Sequence, residues 1–190
     1  MKRNAFLSAV AVTSLFAVSA CGGGNADAPE TEKTEAAADD TATEEATTEE
    51  TAEAPAVEPN GTEIEVQMYT KDPDDASGLQ VFKPRLVKAK VGDTITFVPT
   101  DPTHQSASIA GMLPEGVTGW EGKVNEKVSY VVPKPGVYGY KCTPHYAAGM
   151  IGLIVVEGEG SDANVEAAKG VSHPGLAGRE FKEVFEEAGL

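Results

Sequence analysis

Between Thr62 and Val156 the chain is cut by Gly and Pro into short runs, and this spacing commits it to β-structure. Ile64-Glu65-Val66-Gln67-Met68 alternates apolar and polar residues, as a half-buried strand does. Lys71 to Gly78 is turn-rich. Leu79 to Phe82 and Arg85 to Lys90 are strand-like runs separated by Pro84, which has no N–H and belongs at a bend or an edge. Val91-Gly92-Asp93 is a turn, and Thr94 to Pro99 is the next strand. Gln105 to Ile109, Val124 to Val132, Val137 to Lys141 and Met150 to Val156 complete the series, with an irregular loop at Met112 to Gly116. The expected fold is an all-β sandwich. Helical spacing appears only at the end, over Asp162 to Lys169 and Ala177 to Ala188. There Phe181, Val184 and Phe185 should pack on the sandwich.

One loop carries the chemistry. In Tyr140-Lys141-Cys142-Thr143-Pro144-His145-Tyr146-Ala147-Ala148-Gly149-Met150 a thiol, an imidazole and a thioether fall at Cys-x2-His-x4-Met. Thiolate and imidazole bind soft or borderline metals strongly, and a thioether binds weakly. A second imidazole would complete a His2Cys set with an axial Met, the ligands of a blue-copper electron-transfer site. The other histidines are His104 and His173. His104 follows the Thr94 to Pro99 strand directly and is the candidate fourth ligand; His173 lies between the two helices and receives no role. Met150 can equally serve as core filler. In a sandwich both ligand segments sit at strand ends, which one pole can bring together.

The charge is unevenly placed. The chain carries 30 acidic and 15 basic residues, a net of −15. Residues 22–60 account for −11 of this and residues 61–190 for −6. Phosphate binding needs clustered Lys and Arg, so nucleic acid is excluded as a partner. Lys2 and Arg3 precede an apolar run, Ala5 to Val18, that is too short to span a membrane comfortably. Residues 1–20 read as an export signal. It ends Val18-Ser19-Ala20-Cys21, which resembles a bacterial lipobox and makes Cys21 the expected lipidation site. Residues 21–60, rich in Ala, Thr, Glu and Pro, read as a disordered acidic tether. As a flexible coil, about 39 residues reach roughly 35 Å. Residues 61–190 form the globular domain, helices from about residue 162 included. The location implied is a bacterial cell envelope, with the anchor in a periplasm-facing membrane or at the outer surface. Cys21 and Cys142 serve different ends, so no disulfide is implied.

Residues Val87-Lys88-Ala89-Lys90-Val91-Gly92-Asp93-Thr94, Thr96 to Asp101, Met112 to Gly116, Lys123 to Glu126 and Lys141 to Ala147 resemble the pseudoazurins, type I copper proteins of the cupredoxin family. The Cys-x2-His-x4-Met spacing alone also admits plastocyanin-like proteins. The resemblance implies a Greek-key sandwich of about eight strands. It implies one copper per chain, held by His104, Cys142, His145 and Met150 and cycling between Cu(I) and Cu(II). It also implies a monomer that shuttles single electrons by transient contact. A cytochrome, a nitrite reductase or a terminal oxidase would all serve as partner.

Around the ligands, Pro144 removes one N–H that would otherwise face the Cys142 sulfur. By resemblance, the backbone N–H of Gln105 is the donor left to it. The family usually has Asn at position 105, where the side chain ties the two ligand loops. The longer Gln is expected to alter or lose that tie. An apolar docking patch is expected from Met112, Leu113, Pro114, Pro144, Ala147 and Ala148, with Lys123 and Lys141 as its basic contribution. Pro102, Gly119 and Glu121 stand where the family commonly has lysines, so steering toward an acidic partner should be weak. Enzymatic copper chemistry would need a second centre, and only His173 is left for one. A copper chaperone or store would use the same side chains without a rigid site. The two readings separate on whether the metal is kept through reduction and reoxidation.

Overall fold

Pro84 is where the chain changes sheet. The computed structural model describes residues 57–190; the expectations for residues 1–20, for 21–56 and for Cys21 lie outside the described residues. Before Pro84, β1 (Glu63–Lys71) and β2 (Leu79–Lys83) pair antiparallel, with Met68 opposite Phe82. After it, β3 (Leu86–Lys90) joins the second sheet. β4 (Thr94–Pro99) returns to the first and runs parallel to β1, with Val66 opposite Phe97. β5 is only Ala107–Ser108, shorter than the expected Gln105–Ile109 run. β6 (Val128–Val131) also starts later than expected, because Lys123 to Lys127 turns beside the first ligand loop instead. β7 (Gly136–Lys141) and β8 (Ile151–Glu157) pair antiparallel. The first sheet has the order β2-β1-β4-β6 and the second β3-β8-β7-β5. This is the eight-stranded sandwich expected from the sequence.

Two clusters bury the apolar residues. Between the sheets lie Val66, Met68, Phe82, Phe97, Trp120, Tyr138, Tyr140 and Ile154, among others. On the outer face of the second sheet, Ile109, Met112, Val137, Ile151 and Leu153 meet the helices α1 (Val165–Lys169) and α2 (Ala177–Ala188). Phe181, Val184 and Phe185 are buried there, as their spacing predicts. Covered on both faces, Ile151-Gly152-Leu153-Ile154 is buried without alternation. α1 is shorter than the helical run expected from Asp162. Asn164 is occupied with the sheet: its Oδ1 accepts from the N–H of Val137 at 3.0 Å and its Nδ2 donates to the Val137 carbonyl at 2.8 Å.

At its start the domain is pinned by Asn60, one residue before the boundary the sequence suggests. The Asn60 N–H donates to the Gly92 carbonyl at 2.9 Å, and its Nδ2 donates to Asp93 Oδ1 at 2.6 Å. Glu63 pairs with Thr94 at this end, and β1 and β4 then run together toward the opposite pole, where the β4 loop carries His104.

Candidate metal centre

The parallel pair β1–β4 and the antiparallel pair β7–β8 deliver their loops to the same pole. After β4, the N–H groups of Thr100 and Asp101 both donate to the Met68 carbonyl. Thr103 then takes φ +75° and leads to His104. The His104 carbonyl accepts from the Asn125 N–H at 2.8 Å, and Asn125 Oδ1 accepts from the Thr103 N–H at 2.6 Å. After β7, Cys142 is followed by a 3-10 turn, Thr143–Ala148. Pro144 suits the first positions of that turn, where an N–H has no partner within the turn itself. Gly149 closes it at φ +96°, a conformation that favours glycine. The Cys142 N–H donates to the Met150 carbonyl at 3.0 Å and the Met150 N–H to the His145 carbonyl at 3.2 Å. The three loop candidates are therefore tied through their own backbone.

The side chains converge. Cys142 Sγ lies 3.8 Å from Nδ1 of His104 and 3.4 Å from Nδ1 of His145. The potential ligand atoms of these three residues all lie within 4.8 Å of one another. Bonds of about 2.0–2.3 Å, usual for N and S ligands of such an ion, set 120° apart would separate S from N by about 3.7 Å. The observed separations bracket that value, so the donor set fits a trigonal site. Met150 is fully buried beside it. Cys142 and His104 are fully buried as well, and His145 is half-buried. Burial pushes the Cys142 thiol up, an effect partly offset by the backbone N–H groups of Gln105 and His145 facing the sulfur. By resemblance the Gln105 amide is the donor left to the sulfur; the His145 N–H also acts on it, while donating to the Cys142 carbonyl at 3.1 Å. A metal must displace the thiol proton, so binding weakens in acid.

Two further contacts orient the ligands. Gln105 Nε2 donates to Thr143 Oγ1 at 3.0 Å, linking the residue after His104 to the residue after Cys142. With Gln at this position a tie between the two ligand loops is present. Thr70 Oγ1 lies 3.1 Å from Nε2 of His104, the nitrogen that faces away from the sulfur. Sequence reasoning missed Thr70, whose only signal was its place at the end of β1 beside the β4 loop. Thr70→Val keeps the shape and removes the hydrogen bond. Competition against a chelator should show copper affinity falling about 10–100-fold, the usual effect of losing an outer partner of a ligand histidine.

Burial, reinforced by the neighbouring His145, holds His104 below the usual imidazole range, while Asp101 works in the other direction. Burial lowers His173 too. Without metal, the folded chain then binds fewer protons than the unfolded chain just below the ordinary value of 6.5. Stability from this source is full above that pH and is lost as the pH falls toward the depressed values. The urea midpoint of the copper-free protein should drop as the pH falls below the ordinary imidazole value; a flat profile would contradict the assignment.

The expected docking patch needs correction. Met112 is fully buried: it fills the space over Gly139, where a Cβ would meet its sulfur at 2.5 Å. Pro114 is buried against Gly136, at the far end of β7 and roughly 20 Å from Cys142. Leu113 is half-buried against the inter-sheet core. The Met112-Leu113-Pro114 segment runs antiparallel to β7 and so is carried away from the ligand pole. Pro144, Ala147 and Ala148 are exposed there, and Lys123 is exposed beside the His104 loop. Lys141 is half-buried, with Nζ 4.9 Å from the centre of the Tyr146 ring. Among the described residues, the large apolar side chains exposed near the pole are Leu79, Val124 and Leu176, 63%, 43% and 49% accessible. None was expected from the sequence, because Leu79 and Leu176 sit at element ends and Val124 in a turn, where periodicity is silent.

A β-sandwich that gathers a buried thiol and two imidazoles at one pole defines a copper-binding electron carrier of the cupredoxin class. A family profile described as copper binding proteins, plastocyanin/azurin family, matches residues 67–157. Pseudoazurin from Paracoccus pantotrophus is 46% identical over 110 residues, 58% of this chain and 72% of the relative. Pseudoazurin from Methylorubrum extorquens is 42% identical over 123 residues, 65% of this chain and 80% of the relative. The crystal structure of pseudoazurin from Methylobacterium extorquens superposes with a TM-score of 0.61 at 39% identity, covering 66% of this chain and 98% of that one. The chain belongs to the pseudoazurins. Its cofactor is copper, and it is a blue-copper electron-transfer protein, not an enzyme.

Proposed function

We propose that His104, Cys142, His145 and Met150 hold the copper, and that the chain shuttles single electrons while tethered in a bacterial cell envelope. The observation that supports this most directly is the approach of both Nδ1 atoms to Cys142 Sγ, at 3.8 and 3.4 Å. Copper, when bound, supplies the one-electron chemistry. The protein's part is to keep the ligands fixed, so that little has to rearrange as charge changes. Thr70 and the Asn125 N–H fix His104, and the backbone ties among Cys142, His145 and Met150 fix the loop. The sulfur is shielded from water, and the N–H groups facing it tune its charge. His145 is less buried than His104 and flanked by the exposed Pro144, Ala147 and Ala148, so a partner meets the site there.

The N-terminal part of this reading divides the chain into a signal at 1–20, a lipidated Cys21 and an acidic tether that ends before Asn60. It makes the protein a monomer that meets its redox partners by transient contact. Mixed charge around the pole argues against strong steering toward an acidic partner. The test is made on the full chain loaded with copper. Repeated reduction and reoxidation without loss of metal supports electron carriage; release on reduction would favour a copper chaperone or store. Separately, Cys21→Ala should move the protein from the membrane fraction to the soluble fraction. An unchanged distribution would overturn the anchor and leave the copper reading standing.

A further inference from the structure

Tyr146 directly follows His145, and its side chain is fastened from outside the ligand loop. Its hydroxyl lies 2.6 Å from Nδ1 of His173. His173 belongs to the connection between α1 and α2. Its ring stacks on Phe181, with centroids 4.3 Å apart and planes 27° apart, and Phe181 is buried in α2. The same connection grips the loop again one residue on from Tyr146. The Leu176 N–H donates to the Ala147 carbonyl at 2.9 Å. Gly175, at φ +55°, passes so close that a Cβ there would meet the Ala147 oxygen at 2.3 Å. From the other side Lys141, the residue before Cys142, places its Nζ over the Tyr146 ring.

The two histidines of the centre are therefore held in unlike ways. His104 has its outer nitrogen on Thr70. His145 sits at a non-helical φ −113°, ψ 16° inside the 3-10 turn, where the residue after it is the one that is anchored. We infer that His173 is a positioning residue for the copper centre: by accepting the Tyr146 hydroxyl it fixes the turn that carries His145. Plain helix docking does not need this bond. The Phe181 stack and the Leu176 amide already seat the segment, and an apolar pair of the same shape would be about as stable. What the polar pair adds is a fixed direction for Tyr146. Burial lowers His173 below the usual imidazole range, which favours the neutral ring that an acceptor requires.

The inference rests on His145 being a ligand, and the test separates the two. It uses the full chain loaded with Cu(II), read by the copper hyperfine splitting in electron paramagnetic resonance and by the rate of copper loss to excess chelator. His173→Phe keeps a ring for the Phe181 stack and removes the acceptor. Tyr146→Phe removes the donor and leaves that stack alone. His173→Asn offers an oxygen near the position of Nδ1. Both Phe variants should change the splitting in the same direction and speed copper loss about tenfold, equivalent to ~1.4 kcal/mol. The double variant should go no further than either single one, and His173→Asn should return both readings to those of the parent. Parent-like splitting and loss rate in His173→Phe would overturn the inference, whatever happens to its unfolding midpoint. So would additive effects in the double variant, or no recovery with Asn. Should His173→Phe fail to fold, Tyr146→Phe decides alone. Failure of the ligand assignment itself would show differently, as parent-like copper hyperfine splitting and loss rate in His145→Ala.

Discussion

Serine in place of Cys142 should yield a folded chain that lacks the intense visible band of a copper thiolate. The hydroxyl is far harder to ionise than the thiol, so the anionic ligand is lost while the volume barely changes. Copper affinity should fall by more than the roughly 10–100-fold that accompanies loss of a mere supporting contact. The copper-free fold should tolerate the change, because the N–H groups of Gln105 and His145 that face the sulfur can face the hydroxyl instead. The unfolding free energy without metal should therefore change by no more than about 1–2 kcal/mol. A strong band surviving in Cys142→Ser would remove the thiol from the centre and with it the trigonal site.

Tyr140→Ala should have the largest effect on the fold. Tyr140 is fully buried two residues before Cys142, and its ring meets Phe82 at 4.9 Å and Phe97 at 5.0 Å, both edge-on. Phe97 in turn stacks on Trp120 at 5.3 Å. The Tyr140 hydroxyl donates to the Arg85 carbonyl at 3.2 Å and lies over Gly152, where a Cβ would come within 2.3 Å of it. One side chain thus joins the first sheet to β3 and β8. Truncating it should cost about 3–5 kcal/mol, the range for large aromatics in a closed core. Urea unfolding of the copper-free chain measures this directly. A loss under about 1 kcal/mol would mean that the core re-forms around the gap. Tyr140→Phe separates the hydroxyl's share, expected at about 1 kcal/mol.

The strands were legible because their periodicity survives wherever one face is solvated. Ile64 to Met68 alternates in the chain and in burial alike, and α2 matches its spacing from Ala177 to Ala188. The ligand loop was legible because Cys, His and Met are few and their offsets are chemical. The surface was not. Met112, Leu113 and Pro114 look like an exposed apolar loop, yet Gly139 opens a space on the sheet that Met112 fills, and no local pattern announces a distant glycine. Thr70 and His173 act on the centre across 34 and 27 residues of chain respectively, through single hydrogen bonds. Such pairings depend on register, which a lone sequence leaves open. Gln105 was noticed for its extra methylene, but only the position of Thr143 shows where its amide ends up.

The pinning of Asn60 to Gly92 and Asp93 has a mechanical meaning. β1 begins beside that pin and ends beside Thr70, and its nine residues span about 30 Å. It works as a strut that sets the Asn60 pin at one end of the sandwich and the metal-binding pole at the other. A pull on the N-terminal side is borne by the Asn60 pin and the β1–β4 ladder before it reaches either imidazole.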